Sequence, residues 1–389
     1  MHKIDHTKGE LVTAVSHQWA NRPEDQRFLS LSSLRSQVAL WAEQSNVATI
    51  APADIEAVWT VDDPAALQLN VAGATLSPSH YAFGQVAKLA GAPAAYLSTL
   101  PGTLAGINLN FGLQRAEQKP VAAYMREPGD TSGNLIRGIT STKYGRIYDR
   151  DVVDAVMKVA GDGVGDTHWK VPGTIDWNGE FGVTYNPEVE ITKQNTTLYA
   201  SDRDMFVFLV DDMHPIEVGK LADGSPDLMF RGFYVWNSEV GQRSFGVATM
   251  YLRGVCMNRN LWGVEGFSEV TFRHTSGAPE RFATEAAPML EQFSESATDK
   301  LLAGVKAAKA AIVATTGVER LQFLKGLGLS EKAALAVVAV AELEEGHAPE
   351  SAWDMAQALS AYARREEHQD ARLKLEILAG KVLDKVKVD

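Results

Sequence analysis

Apolar positions along the first third of the chain follow two different periods. Over 32–45 (SSLRSQVALWAEQS) Leu34, Val38 and Trp41 fall on one face behind a serine, the pattern of an amphipathic helix with an N-cap. Residues 55–61 (IEAVWTV) and 67–71 (LQLNV) alternate apolar and polar, which predicts two strands broken by Asp62-Asp63-Pro64. The run from 77 to 110 predicts two or three short helices punctuated by Gly91-Ala92-Pro93 and Pro101-Gly102. A compact helical subdomain is favoured there over a helix-turn-helix, because the second helix, 94–100, offers no basic side chain to a phosphate.

The middle third predicts strands at 134–140, 168–176, 181–185, 197–210, 228–237, 245–257 and 267–274, many bounded by Gly, Asn or Asp. One helix, about 150–160, interrupts them with Val153, Val156 and Val159 on one face. The last third is helical. From 284 to 314 the apolar positions Leu290, Phe293, Ala297, Leu301, Val305, Ala308 and Ile312 recur every three or four residues. A single helix of roughly 30 residues would be about 45 Å long, so it must cross a whole domain or pack on another subunit. Shorter helices follow near 317–326, 330–344, 351–365 and 368–386. The pattern predicts an α+β fold in three parts: a mixed N-terminal subdomain (1–130), a strand-rich central domain (131–278) and a helical C-terminal region (279–389). A homo-oligomer through the 284–314 helix is the accompanying expectation.

Composition narrows the class. The chain has 389 residues and one cysteine, Cys256, which excludes an intrachain disulfide and any multi-cysteine zinc or iron–sulfur site. The start, MHKIDHTKGE, lacks a signal-like apolar run, and no stretch of about 18 apolar residues follows. A cytoplasmic chain with no membrane partner is expected.

The net charge of −12 argues at first against a nucleic-acid partner, but its distribution is uneven. Residues 134–150 carry 4 basic groups and 1 acidic, and 228–279 carry 5 and 3, whereas 151–227 carry 5 and 15. In 228–262 the rings of Phe230, Phe233, Tyr234, Trp236, Phe245, Tyr251 and Trp262 alternate with Arg231, Arg243, Arg253 and Arg259, opposed by Glu239 alone. Aromatic faces that stack bases and cations that track a backbone are the residue mix of single-strand binding. Strand parity assigns at least one aromatic row to the core. The arginines must either pair with carboxylates, including those of 202–212, or face an anionic ligand, because a buried unpaired guanidinium is costly.

Two further groupings carry chemistry. Asp202, Asp204, Asp211, Asp212 and His214 flank the apolar run 205–210, an oxygen-rich set that could hold Mg²⁺ and activate a water for a nuclease; the alternative is an edge blunted by solvated charges. The segment GDGVGD (161–166) looks like a phosphate loop but follows a helix and adds two carboxylates, so it is read as a turn. P-loop, His-Glu-x-x-His, Gly-x-Ser-x-Gly and kinase signatures are all missing, and no catalytic residue is assigned.

Several segments, in order, resemble the phage- and plasmid-borne proteins that carry the domain of unknown function 932. They are LAGAPAAYLSTLP, ITSTKYGRIYDRDVV, WNSEVG at 236–241, LRGVCMN at 252–258, AWDMAQALSAYA at 352–363, and Leu375, Glu376 and Gly380. One departure is Asn258-Arg259, where the family pattern has Asn-Gly. The resemblance implies a setting in mobile elements and no particular chemistry. A strand-rich middle followed by a long helix is also similar in outline to single-strand annealing proteins of phage recombination.

The leading expectation is therefore a nucleic-acid-binding protein, with single-strand annealing as the form considered. Arg137, Lys143, Arg146, Arg243, Arg253 and Arg259 would bind phosphate, and Tyr144, Tyr234 and Trp236 would stack bases. The alternatives are a host-interaction or DNA-mimic protein using the acidic 151–227 stretch, and a Mg²⁺-dependent nuclease using Asp202, Asp204, Asp211 and Asp212.

Overall fold

The computed structural model describes residues 22–59, 66–128, 133–165, 167–172, 175–176, 184–185, 190–194, 196–211, 213–220, 224, 226–253, 258–260, 269–294, 299–363, 365, 375, 378–383 and 385–386. The chain folds as α+β around two sheets, as its patterning predicts.

The smaller sheet has six strands in the order β2-β6-β7-β5-β4-β3: β2 (Ser45–Ile50), β3 (Glu56–Val58), β4 (Gln68–Val71), β5 (Ala74–Pro78), β6 (Val121–Arg126) and β7 (Leu135–Ser141). Helix α1 (Leu31–Glu43) precedes these strands. Helices α2 (His80–Leu89), α3 (Ala94–Leu97) and α4 (Gly102–Arg115) lie between β5 and β6 in sequence. Phe83, Val86, Leu97, Leu109 and Leu113 join Leu69, Leu76, Ile136 and Ile139 of the strands in one core. The expected strand pair is β3–β4, antiparallel, with Ala57 opposite Leu69. The domain boundary expected at residue 130 falls inside this sheet, because β7 pairs with both β6 and β5.

The larger sheet runs β1 (Arg27–Phe28), β11 (Leu198–Ala200), β12 (Met205–Asp211), β14 (Pro226–Asn237), β15 (Phe245–Arg253), β16 (Asn258–Asn260). Strand β8 (Trp169–Lys170) pairs with β12, β13 (Ile216–Lys220) with β14, and β17 (Glu269–Phe272) with β15. A separate two-stranded ribbon joins β9 (Ile175–Asp176) and β10 (Thr184–Tyr185). The 197–210 run, expected as one strand, is the β11–β12 hairpin turning at Ser201–Asp204, where the Ser201 amide donates to the Asp204 carbonyl.

One face of this sheet, with Val207, Leu209, Phe233, Val235 and Phe245, packs on α1 and on α5 (Asp149–Ala160). The opposite face, with Phe206, Phe208, Phe230, Tyr234 and Trp236, forms a separate aromatic cluster. Helix α1 begins at Ser30, whose hydroxyl accepts from the Ser33 amide. GDGVGD supplies that same helix start, since the Asp162 carbonyl accepts from the Leu31 amide and its carboxylate from the Ser32 amide. A carboxylate thus stands where a phosphate would, on a turn with Gly161, Gly163 and Gly165 at positive φ.

The 284–314 stretch is not described as one helix. Helix α6 (Ala278–Arg281) passes through a π turn (Phe282–Ala286) into α7 (Ala287–Ser294), and α8 (Asp299–Ala310) follows. Residues between α7 and α8 lie outside the described ones, and Ile312 already bridges to Ser351. The regular apolar spacing serves two cores of the same chain. Leu290 packs under the larger sheet, whereas Val305 and Ala308 pack with Leu324 of α9 (Gly317–Gly326), Val337 of α10 (Glu331–Glu345) and Trp353 and Leu359 of α11 (Ala352–Ala363). The burial that the sequence pattern reserves for a second subunit is in these places internal. An exposed apolar stripe, Leu104, Ile107 and Phe111, runs instead along α4. Among the described residues no helix is long and apolar enough to cross a membrane.

Candidate nucleic-acid site

The two basic stretches do converge, at the turn from β14 to β15 (238–242). This turn docks on β7 at Gly138, where an added Cβ would lie 2.7 Å from Val240 Cβ. Gln85 of α2 clamps it there, accepting from the Ile139 amide at 2.7 Å and donating to the Val240 carbonyl at 3.1 Å. Beside this contact the β7 register steps from Gly138 to Ile136 across one residue of β6, leaving Arg137 as a bulge residue. A bulge re-aims its side chain, and Arg137 is turned into the seam between the sheets.

The meeting point is a closed polar network. Glu239, 3% exposed, accepts from Arg137 Nη1 at 2.6 Å and from the Tyr124 hydroxyl at 2.9 Å through Oε2. Its Oε1 accepts from the Asp149 amide at 2.9 Å, so it caps the start of α5 from outside the helix. Arg137 Nε donates to the Asp202 carbonyl at 3.0 Å. Arg146 donates to the Glu239 carbonyl and lies over the Tyr124 ring at 3.9 Å. Tyr144 donates to the Ser238 carbonyl at 2.7 Å and stacks on His274 at 4.9 Å.

Burial sets the electrostatics here. It opposes the charge on Arg137, but Glu239, Tyr124, Asp149 and Asp202 together outweigh it and hold the guanidinium pKa above its ordinary value. Burial, and then Glu239, pushes the Asp149 carboxyl well above the carboxylate range. Burial raises Tyr124 and Tyr144 and lowers Arg146 and His274.

This geometry corrects several expected roles. Arg137 is 1% exposed and is held by Glu239 and the Asp202 carbonyl, so it is not a surface cation that tracks a strand. Arg146 and Tyr144 are half-buried in the same network. Arg243 pairs with Asp204 at 3.1 Å. Arg253 and Arg259 contribute backbone to β15 and β16, with Leu252 opposite Arg259, and their side chains lie outside the described residues. Lys143 is exposed on a turn. Tyr234 and Trp236 are half-buried and stack on each other at 5.2 Å, continuing a ladder from Phe206 at 5.8 Å.

The carboxylates expected to hold Mg²⁺ are dispersed. Asp204 accepts both ends of the Arg22 guanidinium, at 2.7 and 2.9 Å, and burial is overcome by Arg22 and Arg243, which hold its pKa low. Asp211 meets Arg231 at 3.1 Å, His214 at 3.0 Å and the amides of Met213 and His214. Asp202 is half-buried, and Asp212 lies outside the described residues. Among the described residues no three His, Cys, Asp or Glu gather as a metal site.

Outside the network lies a cleft of about 860 Å³ between α2, β7 and the 238–242 turn. Its lining includes Lys88, Lys119 and Arg203, with Glu117 as an opposing carboxylate, and the ring of Tyr81. Thr140 and Gln242 line it as well. Thr140 is 8% exposed, and its hydroxyl and Gln242 Oε1 are buried without hydrogen-bond partners. Neither Lys88 nor Lys119 stands in a dense basic run, which is why charge patterning missed them. Thr140, by contrast, belongs to the 134–150 stretch that patterning selected. No family model, curated protein or solved structure matches this chain.

Proposed function

We propose that this protein binds single-stranded nucleic acid, taking a short segment of the strand into the cleft beside the 238–242 turn. The observation that carries the reading is a cleft lined by Lys88, Lys119 and Arg203, with the partnerless Thr140 hydroxyl buried in its wall. Buried polar groups without partners are few in folded proteins, and one that lines a cleft is satisfied when a ligand supplies the missing group. A cleft of this size is in the range of small-ligand sites and matches one or two nucleotides rather than a duplex. Cations supply sequence-independent affinity for phosphate, and the Tyr81 ring offers a face for a base. In this reading the guanidiniums of the basic stretches hold the wall of the cleft, while lysines from elsewhere meet the strand. The resemblance to phage and plasmid proteins fits a role in handling single strands, including annealing.

Fluorescence anisotropy with a labelled single-stranded oligonucleotide, run across a salt series, tests the proposal. Binding should be measurable at about 50 mM salt and fall steeply with salt, as phosphate contacts demand. Lys88→Ala combined with Lys119→Ala should weaken it by tenfold or more and flatten the salt slope by about 1.4, roughly 0.7 per lost contact. No binding at low salt, or binding unchanged in the double variant, overturns it.

A further inference from the structure

A second set of unclaimed donors belongs to Arg137 and to Arg126. Arg137 uses Nε and Nη1 in the network, but its Nη2 is buried with no hydrogen-bond partner. Arg126, at the end of β6, has two nitrogens in the same condition, Nε and Nη1. Tyr124 and Arg126 are two residues apart on β6 and so share a face, with Arg137 beside them on β7. The Arg126 guanidinium lies 5.0 Å over the Trp41 ring, and that of Arg137 lies 5.0 Å over the Tyr124 ring.

The local charge is unbalanced. Arg137 and Arg146 both lie over the Tyr124 ring, Arg126 follows two residues along β6, and the carboxylate bonded to Arg137 is that of Glu239. Burial, then the neighbouring Arg137 cation, pushes the Arg126 pKa down. Removing a guanidinium from water without an acceptor costs several kcal/mol, so a site holding three unclaimed guanidinium nitrogens is built for an anion. Several donors spread over two planar groups suit an acceptor with several oxygens better than a single halide. Arg126 is half-buried, so part of its side chain meets solvent beside these buried donors.

We propose that Arg126 and Arg137 form a binding site for a phosphate-sized oxyanion, either free or as the terminal phosphate of a larger molecule. The site is separate from the cleft, and its donors, Arg126 Nε and Nη1 and Arg137 Nη2, are not cleft-lining groups.

Melting of the full chain in sodium phosphate and in sodium chloride of equal ionic strength provides the test, with calorimetric titration of inorganic phosphate beside it. Wild type should melt about 1–3 °C higher in phosphate, and the rise should saturate with concentration. Arg126→Gln, which removes donors that hold no partner, should fold and lose the rise. Arg126→Lys keeps the charge but not the planar array, and should lose most of it. Lys88→Ala combined with Lys119→Ala should retain it in full. A nucleoside monophosphate that reproduces the effect, with the same dependence on Arg126, identifies the terminal phosphate of a larger molecule as a ligand; an effect confined to inorganic phosphate identifies the free ion. Equal melting of wild type in the two salts overturns the proposal. So does a phosphate effect that survives Arg126→Gln, or one that disappears with the two lysines.

Discussion

Arg137 and Glu239, 102 residues apart in the chain, meet at 2.6 Å with side chains 1% and 3% exposed. Each serves a second element: Arg137 holds the Asp202 carbonyl of the larger sheet's hairpin, and Glu239 caps α5. The pair joins the two sheets and fixes the turn that forms one wall of the cleft.

Removing the charge from Glu239 should therefore cost far more than a surface ion pair does. Glu239→Gln keeps one carbonyl acceptor but leaves Arg137 buried beside a neutral partner, and about 3–5 kcal/mol of stability should be lost. Replacing Arg137 by Met as well removes the stranded cation, so the double variant should be more stable than the sum of the two single effects predicts. Urea unfolding of the three variants gives these values. A loss below about 1 kcal/mol for Glu239→Gln would show that the pair is solvated.

Local features of this architecture were legible in the sequence and long-range ones were not. The α1 cap, the β3–β4 pair and the helices at 149–160 and 317–326 follow from spacing within a few residues. Strand β6 (VAAYMR) escaped because it is buried along nearly its whole length and shows no alternation. The segment 228–262 shows four arginines and one acid, and the arithmetic suggests free cations. Their partners come from elsewhere: Asp204 for Arg243 and Asp211 for Arg231, while the one local acid, Glu239, pairs with Arg137 from β7. Composition within a window cannot reveal pairs formed with distant segments of the chain. Glu239 itself carried a readable signal, since a lone carboxylate among buried aromatics is expected to need a cation.

Two buried aspartates should give stability opposite dependences on pH. Asp149 has its pKa raised in the folded state by burial and Glu239, so the neutral form favours folding. Its contribution is present below the unfolded value of about 3.9 and is lost as pH rises through the folded value. Asp149→Asn should match wild type in acid and exceed it increasingly toward neutral pH. Asp204 has its pKa lowered by Arg22 and Arg243 against its burial. Its contribution is present above about 3.9 and is lost as pH falls through the folded value, so Asp204→Asn should be destabilised at neutral pH and approach wild type in strong acid. Melting temperatures from about pH 1 to pH 8 distinguish the two signs.

Gly138 is fixed by the approach of Val240 rather than by its backbone angles. A methyl group there would sit 2.7 Å from Val240 Cβ, inside contact distance, and would lever the 238–242 turn away from β7. Gly138→Ala should cost about 1–3 kcal/mol, the usual range for overpacking. Val240→Ala in the same chain should restore part of that loss. A Gly138→Ala protein that melts like wild type would mean that the turn shifts freely, and the cleft wall with it.

Arg137 also separates direct phosphate contact from support of the cleft wall. A residue that touches phosphate changes the salt dependence of binding when it is altered, whereas a supporting residue changes stability. Arg137→Lys keeps one positive charge but loses the fork that reaches Glu239, Tyr124 and the Asp202 carbonyl together. The variant should lose about 2–3 kcal/mol of stability, in line with hydrogen bonds to charged groups. Its slope of binding against salt should equal that of wild type at temperatures where both are folded. Exposed Lys143, changed to Ala, should leave stability within about 0.5 kcal/mol of wild type. A reduced slope in Arg137→Lys with unchanged melting would return Arg137 to the strand and displace Lys88 and Lys119 from that role.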